Sequence, residues 1–182
     1  GGLGYIGTEL CKLYSGVSWH HQIVVIDNRF ISERVNQLRN WNMEFVQGDI
    51  LDKELVTKYF KDADVVHHLA GITSVPRTKS ESSDEQDKKI IEVGEKGTQN
   101  ILDVITDECK IVFPSTHVVY EGIDKVKTDI DEEEKTKPVL SYSSSKAISE
   151  DQLKKSGKKY IILRLGSVYG YSTDSMRIDI MP

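Results

Sequence analysis

Short apolar runs alternate along the chain with longer segments of helical period. The runs are rich in Val and Ile, as is typical of strands that are covered on both faces. They lie at 22–27, 43–46, 64–69, 110–115 and 160–165, and the helical segments lie at 4–14, 52–60, 84–105 and 141–156. Such alternation predicts an α/β fold with a doubly wound parallel sheet and right-handed crossovers.

The first residues, GGLGYIG, form a glycine-rich turn. Gly2, Gly4 and Gly7 fit G-x-G-x-x-G, and Gly1, Gly4 and Gly7 fit G-x-x-G-x-x-G. Either pattern indicates a dinucleotide site only between a strand and a helix, because the backbone must approach a pyrophosphate at the helix N-terminus. The helix is predicted directly after the turn. We therefore expect a first strand before Gly1, and we expect residues 1–182 to be an excerpt of a longer chain.

An acidic residue at the end of the next strand strengthens this interpretation. Asp27 ends QIVVID and follows Gly7 at the spacing of about 20 residues that a dinucleotide-binding unit requires. A carboxylate there accepts hydrogen bonds from the ribose hydroxyls and repels a 2′-phosphate. The sequence thus favours NAD over NADP, although Arg29 nearby keeps NADP open.

Tyr142 and Lys146 stand at i, i+4 in SYSSSKAISE, at the start of a predicted helix. On a helix their side chains share a face, so the ammonium can favour the phenolate and lower a tyrosine pKa that is ordinarily about 10. Such a pair also arises by chance on a solvated helix face. Its position near the carboxyl ends of the strands favours a catalytic role.

Two hydroxyl residues follow the strand at 110–115. Ser115 and Thr116 stand in VFPSTHVVYEG, ahead of Tyr142 in the chain. One of these hydroxyls can bind the substrate oxygen that Tyr142 deprotonates. The alternative is a pair of turn residues that close the strand.

Composition limits the remaining classes of function. The 182 residues carry a net charge of −5, with 38% hydrophobic content, which suits one globular domain and gives no basic footprint for nucleic acid. No apolar stretch approaches a membrane span. The two cysteines, Cys11 and Cys109, lie far apart and the histidine pairs have no ligand partners at metal spacing, so we expect no disulfide and no metal site. A cytoplasmic location is the default expectation.

Taken in order, the motifs resemble those of an extended short-chain dehydrogenase/reductase, and most closely the NAD-dependent nucleotide-sugar epimerase/dehydratase family of the UDP-glucose 4-epimerase kind. The segments that carry the resemblance are GGLGYIG, Asp27, GDI at 48–50, HHLAG at 67–71, PST at 114–116, YSSSK at 142–146 and LRLGSVYG at 163–170. It spans essentially the whole chain and implies a Rossmann domain over 1–182 that runs into the start of a substrate-binding region near 165–182.

The same resemblance implies the roles of individual residues. Tyr142 is then the catalytic acid/base, Lys146 lowers its pKa and binds the nicotinamide ribose, and Thr116 is the hydroxyl partner. The residues expected to hold NAD are Gly1, Gly4, Tyr5, Ile6 and Gly7 at the pyrophosphate, Asp27 and Asn28 at the ribose end, Asp49 and Ile50 beside the adenine, and Leu69, Ala70, Gly71 and Thr73 along the cofactor's path. A nucleotide-sugar substrate and a homodimer are implied as well.

Two departures from the family pattern bear on the substrate. Gly94-Glu95-Lys96-Gly97-Thr98 stands where members often have Asn-Val-x-Gly-Thr, and Arg164-Leu165-Gly166-Ser167 stands where many have Arg-Pro-Phe-Asn. A further substrate domain is expected after Pro182. We favour an epimerase. His117 and Val118 replace the Asp-Glu of dehydratases, which argues against dehydration, and a reductase or a decarboxylase that uses the same keto intermediate is the closer alternative. A non-catalytic NAD-binding regulator is the alternative from another class.

Overall fold

The computed structural model describes residues 1–73 and 83–170. Within these ranges, strands and helices alternate in chain order. The strands are β1 (Val24–Asp27), β2 (Glu44–Gln47), β3 (Val65–His67), β4 (Lys110–Thr116) and β5 (Lys159–Leu165). The helices are α1 (Tyr5–Tyr14), α2 (Ser32–Asn40), α3 (Lys53–Phe60), α4 (Asp84–Val104) and α5 (Ser141–Lys155), with a 3-10 turn at His117–Tyr120.

All strand pairs are parallel, and they fall into two groups. β1 pairs with β2, whereas β4 lies between β3 and β5. Between β1 and β3 lies a cleft of about 670 Å³ that both strands line. Gly1 and Gly2 sit at one end of this cleft, where both backbone nitrogens donate to the Ile26 carbonyl. The glycine turn therefore lies between the two groups of strands.

Two apolar cores match the two groups of strands. One core packs α1 and α2 on β1 and is built from Leu3, Cys11, Val25, Val35, Leu38 and Met43. The other packs α3, α4 and α5 on the three-stranded sheet and is built from Val56, Val66, Ile101, Leu102, Ile105, Cys109, Ile111, Phe113 and Leu153. Both cysteines are buried and unpaired with each other.

The predicted α/β fold with parallel strands is confirmed, and every predicted strand and helix is found within one or two residues of its expected ends. Helix α2 was missed. Its sequence SERVNQLRN is polar, and only Arg34, Val35 and Leu38 are buried. An apolar stripe that narrow does not stand out at helical period. Arg34 joins the buried face because its guanidinium donates to the Leu3 carbonyl.

None of the helices in the described ranges combines the length and the apolar character that crossing a membrane requires.

Candidate active site

One cleft of about 830 Å³ collects every residue that the sequence predicted for the site. It opens at the carboxyl ends of the strands, where doubly wound folds bind their ligands. Its walls come from the glycine turn and α1, from the loops after β1, β2 and β3, and from the end of β4 and the start of α5. The roles assigned to the individual residues stay predictions, and the geometry of the cleft bears on each.

The N-terminus of α1 faces this cleft without a side-chain cap. Gly4 is the N-cap residue, and no side chain of the described residues accepts a hydrogen bond from the first turn. The amides of Tyr5 and Ile6 are therefore available to an anion, which the helix dipole also favours. A Cβ at Gly7 would lie 2.6 Å from the carbonyl oxygens of Gly1 and Gly2, so the helix lies directly on the turn. These features fit a pyrophosphate.

Asp27 lies at the end of β1 and performs two tasks. Its buried carboxylate accepts hydrogen bonds from the Leu3 amide at 3.0 Å and from the Arg29 amide and Nε at 3.0 and 3.2 Å. The first bond fixes the glycine turn. Burial raises the pKa of Asp27, whereas the hydrogen bonds and the charge of Arg29 lower it. The charge of Arg29 is therefore directed at this carboxylate.

The loop after β2 carries Asp49 and Ile50 into the cleft. Asn28 donates to Asp49 at 3.4 Å, and Asp49 accepts from the Leu51 amide at 3.0 Å. The Ile50 carbonyl accepts a 2.9 Å bond from Asn100, a buried amide on α4. Sequence reasoning missed Asn100. The available signal was an asparagine directly before two apolar residues, Ile101 and Leu102, of the buried face of α4.

The loop after β3 supplies Leu69, Ala70, Gly71 and Thr73. It runs against the glycine turn so closely that a Cβ at Gly1 would lie 2.4 Å from the Leu69 carbonyl carbon. A side chain at position 1 therefore cannot fit without moving backbone. The contact joins the loop after β3 to the turn beneath the expected pyrophosphate.

Helix α5 presents Tyr142 and Lys146 to the opposite end of the cleft. The Lys146 ammonium donates to the Pro114 carbonyl at 2.7 Å and lies 4.5 Å from the centre of the Phe113 ring. Burial lowers the pKa of Lys146 to about 8, against an opposing effect of the Glu150 carboxylate. Its remaining N–H groups can serve a phenolate or a ribose hydroxyl.

The two hydroxyls at the end of β4 differ in what they bind. Ser115 donates to the buried Glu150 carboxylate at 2.6 Å. Thr116 accepts a hydrogen bond from the Val118 amide at 3.3 Å and lines the cleft. The Thr116 hydrogen is not used in that bond, so it can be donated to a substrate oxygen. Of the pair left open by the sequence, the geometry favours Thr116.

A carboxylate fixes the start of α5. Glu121 accepts hydrogen bonds from the amides of Val139 and Leu140, each at 2.8 Å, and from the Ser143 hydroxyl. Negative charge beside uncapped helical amides is stabilising. Glu121 thereby places the first turn of the helix that carries Tyr142. Sequence reasoning did not identify this residue.

Behind the end of the cleft that holds Tyr142 and Lys146 lies a buried polar chain. His68 Nε2 is 3.0 Å from the Thr98 hydroxyl, which in turn donates to Ser149 at 3.0 Å. Burial, together with a smaller effect of the Lys146 charge, lowers the pKa of His68 to about 3. His68 is therefore a neutral core residue. Gly94, at the position of the absent family asparagine, lets Ser145 approach α4, since a Cβ there would lie 2.0 Å from the Ser145 oxygen.

Comparison with known proteins decides the family. The model of the NAD dependent epimerase/dehydratase family matches residues 1–181. The chain belongs to this family. Among described residues, no cluster of three or more His, Cys, Asp or Glu side chains with metal-binding geometry accompanies the cleft.

Individual family members give the same result. A UDP-glucose 4-epimerase of Lactobacillus helveticus is 30% identical, over 96% of this chain and 52% of the relative. The structure of UDP-glucose 4-epimerase from Brucella ovis in complex with NAD has a TM-score of 0.75 at 29% identity, over 96% of this chain and 52% of that one. UDP-glucuronic acid 4-epimerase from Bacillus cereus, also in complex with NAD, has a TM-score of 0.74 at 26% identity, over 93% of this chain and 55% of that one.

The chain spans about half the length of the curated relatives that it matches. The residues that line the cleft described above all lie within the part of the chain that the family model matches.

Proposed function

We propose that the intact protein is an NAD-dependent nucleotide-sugar epimerase that works through a keto-sugar intermediate. The observation that carries the proposal is a single cleft in which Tyr142, Lys146 and Thr116 face the uncapped N-terminus of α1. One end suits a dinucleotide, and the other suits proton transfer at a sugar hydroxyl. The UDP-sugar epimerases among the relatives support this choice of reaction.

Tyr142 is the proposed acid/base. As phenolate it accepts the proton of the sugar hydroxyl, and it returns a proton to the same oxygen in the second half of the cycle. NAD held by the α1 amides and Asp27 would supply the hydride acceptor for that carbon and the hydride donor for the other face of the keto-sugar. Protons and electrons then balance over one turnover without a second substrate.

Lys146 and Thr116 support this transfer. The Lys146 ammonium is fixed by the Pro114 carbonyl one helical turn from Tyr142, so its positive charge favours the phenolate. The Thr116 hydroxyl donates to the substrate oxygen and orients it toward Tyr142. Asp27, with Asn28, holds the ribose of NAD, and the first-turn amides of α1 hold its pyrophosphate.

The two residues directly after Thr116 argue against a dehydratase. His117 occupies the position where dehydratases carry an acid, and its Nδ1 lies 3.1 Å from the Leu165 carbonyl oxygen. Val118 comes next and has no ionisable group to offer. Dehydration needs an additional acid and base, which these two residues do not supply.

Product analysis tests the proposal. The intact protein is incubated with NAD and UDP- or GDP-hexoses, and the sugars are followed by NMR together with absorbance at the NADH wavelength. We expect an epimer to accumulate without net NADH formation or consumption. Net NADH turnover would instead identify a reductase or dehydrogenase, and loss of water or CO₂ would identify a dehydratase or a decarboxylase.

Tyr142→Phe supplies the matched variant, because it removes only the phenolic oxygen. We expect turnover to fall at least a thousandfold, a loss on the order of 4 kcal/mol in transition-state stabilisation, while NAD still binds. If the variant keeps both turnover and the physiological role of the protein, the catalytic proposal fails. A non-catalytic NAD-binding regulator then becomes the better explanation.

We further propose that the protein is a homodimer, by resemblance to the family. We also propose that it is cytoplasmic, which its two buried and unpaired cysteines support. Light scattering of the intact protein after size exclusion tests the dimer. A monomer at micromolar concentration would contradict it.

A further inference from the structure

A buried carboxylate, that of Glu150, lies one helical turn beyond Lys146 on α5. Glu150 is 1% exposed, and Tyr142, Lys146 and Glu150 follow one another at four-residue intervals on α5. A carboxylate that deep in a protein requires partners, because an uncompensated buried charge is strongly unfavourable. The proposed reaction gives Glu150 no direct role.

Arg164 on β5 is the main partner. Its Nε and Nη2 donate to both Glu150 oxygens, with the shortest contact at 2.6 Å, and the pair is almost completely buried. Burial alone would raise the pKa of Glu150, but the Arg164 and Ser115 hydrogen bonds hold it below the ordinary value. Arg164 also donates to the Tyr120 hydroxyl and the Glu132 carbonyl. The carboxylate is therefore charged and fixed on one side by a rigid fork.

The other side of Glu150 faces the site. Its Oε1 accepts the 2.6 Å bond from Ser115, which stands between Pro114 and Thr116 on β4. The Pro114 carbonyl holds the Lys146 ammonium at 2.7 Å, and the Thr116 hydroxyl is the proposed substrate donor. Movement of Ser115 would therefore shift both neighbours in the site.

We propose that Glu150 is a positioning residue that, through Ser115, sets the Pro114 carbonyl and the Thr116 hydroxyl relative to Tyr142 and Lys146. The inference rests on the proposed function for the identity of the reaction. The path has two steps: Arg164 fixes the Glu150 carboxylate, and Glu150 fixes the strand end. Glu150 contacts neither substrate nor cofactor.

Ser115→Ala is the primary test, because it removes the link to the site and leaves the Glu150–Arg164 pair intact. Lys154→Met is the matched control, since Lys154 also reaches Glu150, at 3.4 Å, but from the solvent side. Steady-state kinetics of the intact protein, NAD titration and thermal melts are measured for both. For Ser115→Ala we expect kcat to fall at least tenfold, with KM for the nucleotide sugar and Kd for NAD changed less than twofold. Lys154→Met should change none of them.

Glu150→Gln gives a second readout, the pH profile of kcat. The titratable groups around the Lys146 ammonium are Tyr142 and Glu150 on its own helix and His68 from the end of β3. Because the Glu150 charge raises the pKa of Lys146, its removal should move the alkaline limb of kcat to lower pH. If this variant does not fold, Ser115→Ala decides alone.

The outcomes separate this inference from the proposed function. An inactive Tyr142→Phe with a fully active Ser115→Ala overturns the role of Glu150 and leaves the reaction standing. A Ser115→Ala variant that raises KM at unchanged kcat also overturns it, because Ser115 would then be a direct substrate ligand. An active Tyr142→Phe overturns the proposed function itself.

Discussion

The two ends of the cleft are built by different means. At the proposed nucleotide end, the groups that line the cleft are backbone amides of α1 and two carboxylates, Asp27 and Asp49, and close contacts between main-chain atoms fix the turn. At the catalytic end, side chains face the ligand, and a buried polar network of Ser115, Glu150 and Arg164 stands behind them. The first end depends on the absence of side-chain atoms, and the second depends on their hydrogen bonds.

The construction of each end determines which changes damage it. Adding a single methyl group should damage the nucleotide end, because backbone cannot move aside as a flexible side chain does. The catalytic end should respond instead to loss of hydrogen-bonding atoms and to protonation. Three substitutions test this division, in decreasing order of expected effect.

Gly7→Ala should have the largest effect. Its Cβ would lie 2.6 Å from two carbonyl oxygens of the turn, so α1 must move away from the pyrophosphate site. We expect NAD affinity of the intact protein to fall on the order of a thousandfold, or about 4 kcal/mol, by calorimetric titration. Gly16→Ala is the control, since nothing lies within 4 Å of a Cβ there. Equal affinities of the two variants would refute the division.

His68→Gln tests the catalytic end through pH. The folded-state pKa of His68, about 3, lies below the ordinary value of 6.5, so the unfolded chain binds a proton that the native state does not between those values. Stability should therefore fall as pH drops below 6.5, by about 3 kcal/mol at pH 4. Denaturant titrations from pH 4 to 7 should lose this slope in His68→Gln. They should retain it in His20→Gln, where the histidine is exposed; identical slopes in both would contradict the buried neutral imidazole.

Asn100→Ala tests a side-chain hydrogen bond that serves the nucleotide end. Loss of the bond to the Ile50 carbonyl leaves a buried acceptor unpaired, which costs about 1 to 3 kcal/mol of folding stability. The loop after β2, which carries Asp49 and Ile50, should loosen, and NAD affinity should fall about tenfold, or about 1.4 kcal/mol. Gln99→Ala, on the exposed face of the same helix, is the control. Unchanged affinity in Asn100→Ala would show that backbone contacts alone fix this loop.

Local pattern was sufficient to predict most elements, the glycine turn, Asp27 and the Tyr142–Lys146 pair, whereas the residues of the loops after β2 and β3 were assigned to the site by resemblance to the family. Val- and Ile-rich runs marked the strands, and the glycine turn together with Asp27 at a spacing of about 20 residues marked the nucleotide end, because the turn, the helix and the next strand follow one another directly in the chain. Helix α2 was missed since its buried face is narrow and includes Arg34.

Glu150 and Asn100, which support the site from behind, could not be predicted from local sequence patterns for a different reason. Glu150 stands in the polar segment SEDQLKK, which resembles a solvated helix face, and its burial depends on Arg164 and Ser115 from two separate strands. Asn100 likewise depends on Ile50, far away in the chain. A pattern within one helix carries no information about such partners.

The close approach of α5 to α4 bears on how the chain can be altered by substitution. A Cβ at Gly94 would lie 2.0 Å from the Ser145 hydroxyl oxygen, and that hydroxyl donates to the Ile90 carbonyl on α4. Ser145 stands on the helix that carries Tyr142 and Lys146. A side chain at position 94 therefore requires either a smaller residue at position 145 or a displacement of α5. Introducing the family asparagine at position 94 alone should disturb the helix on which the proposed reaction depends, and only a paired change at both positions would accommodate it.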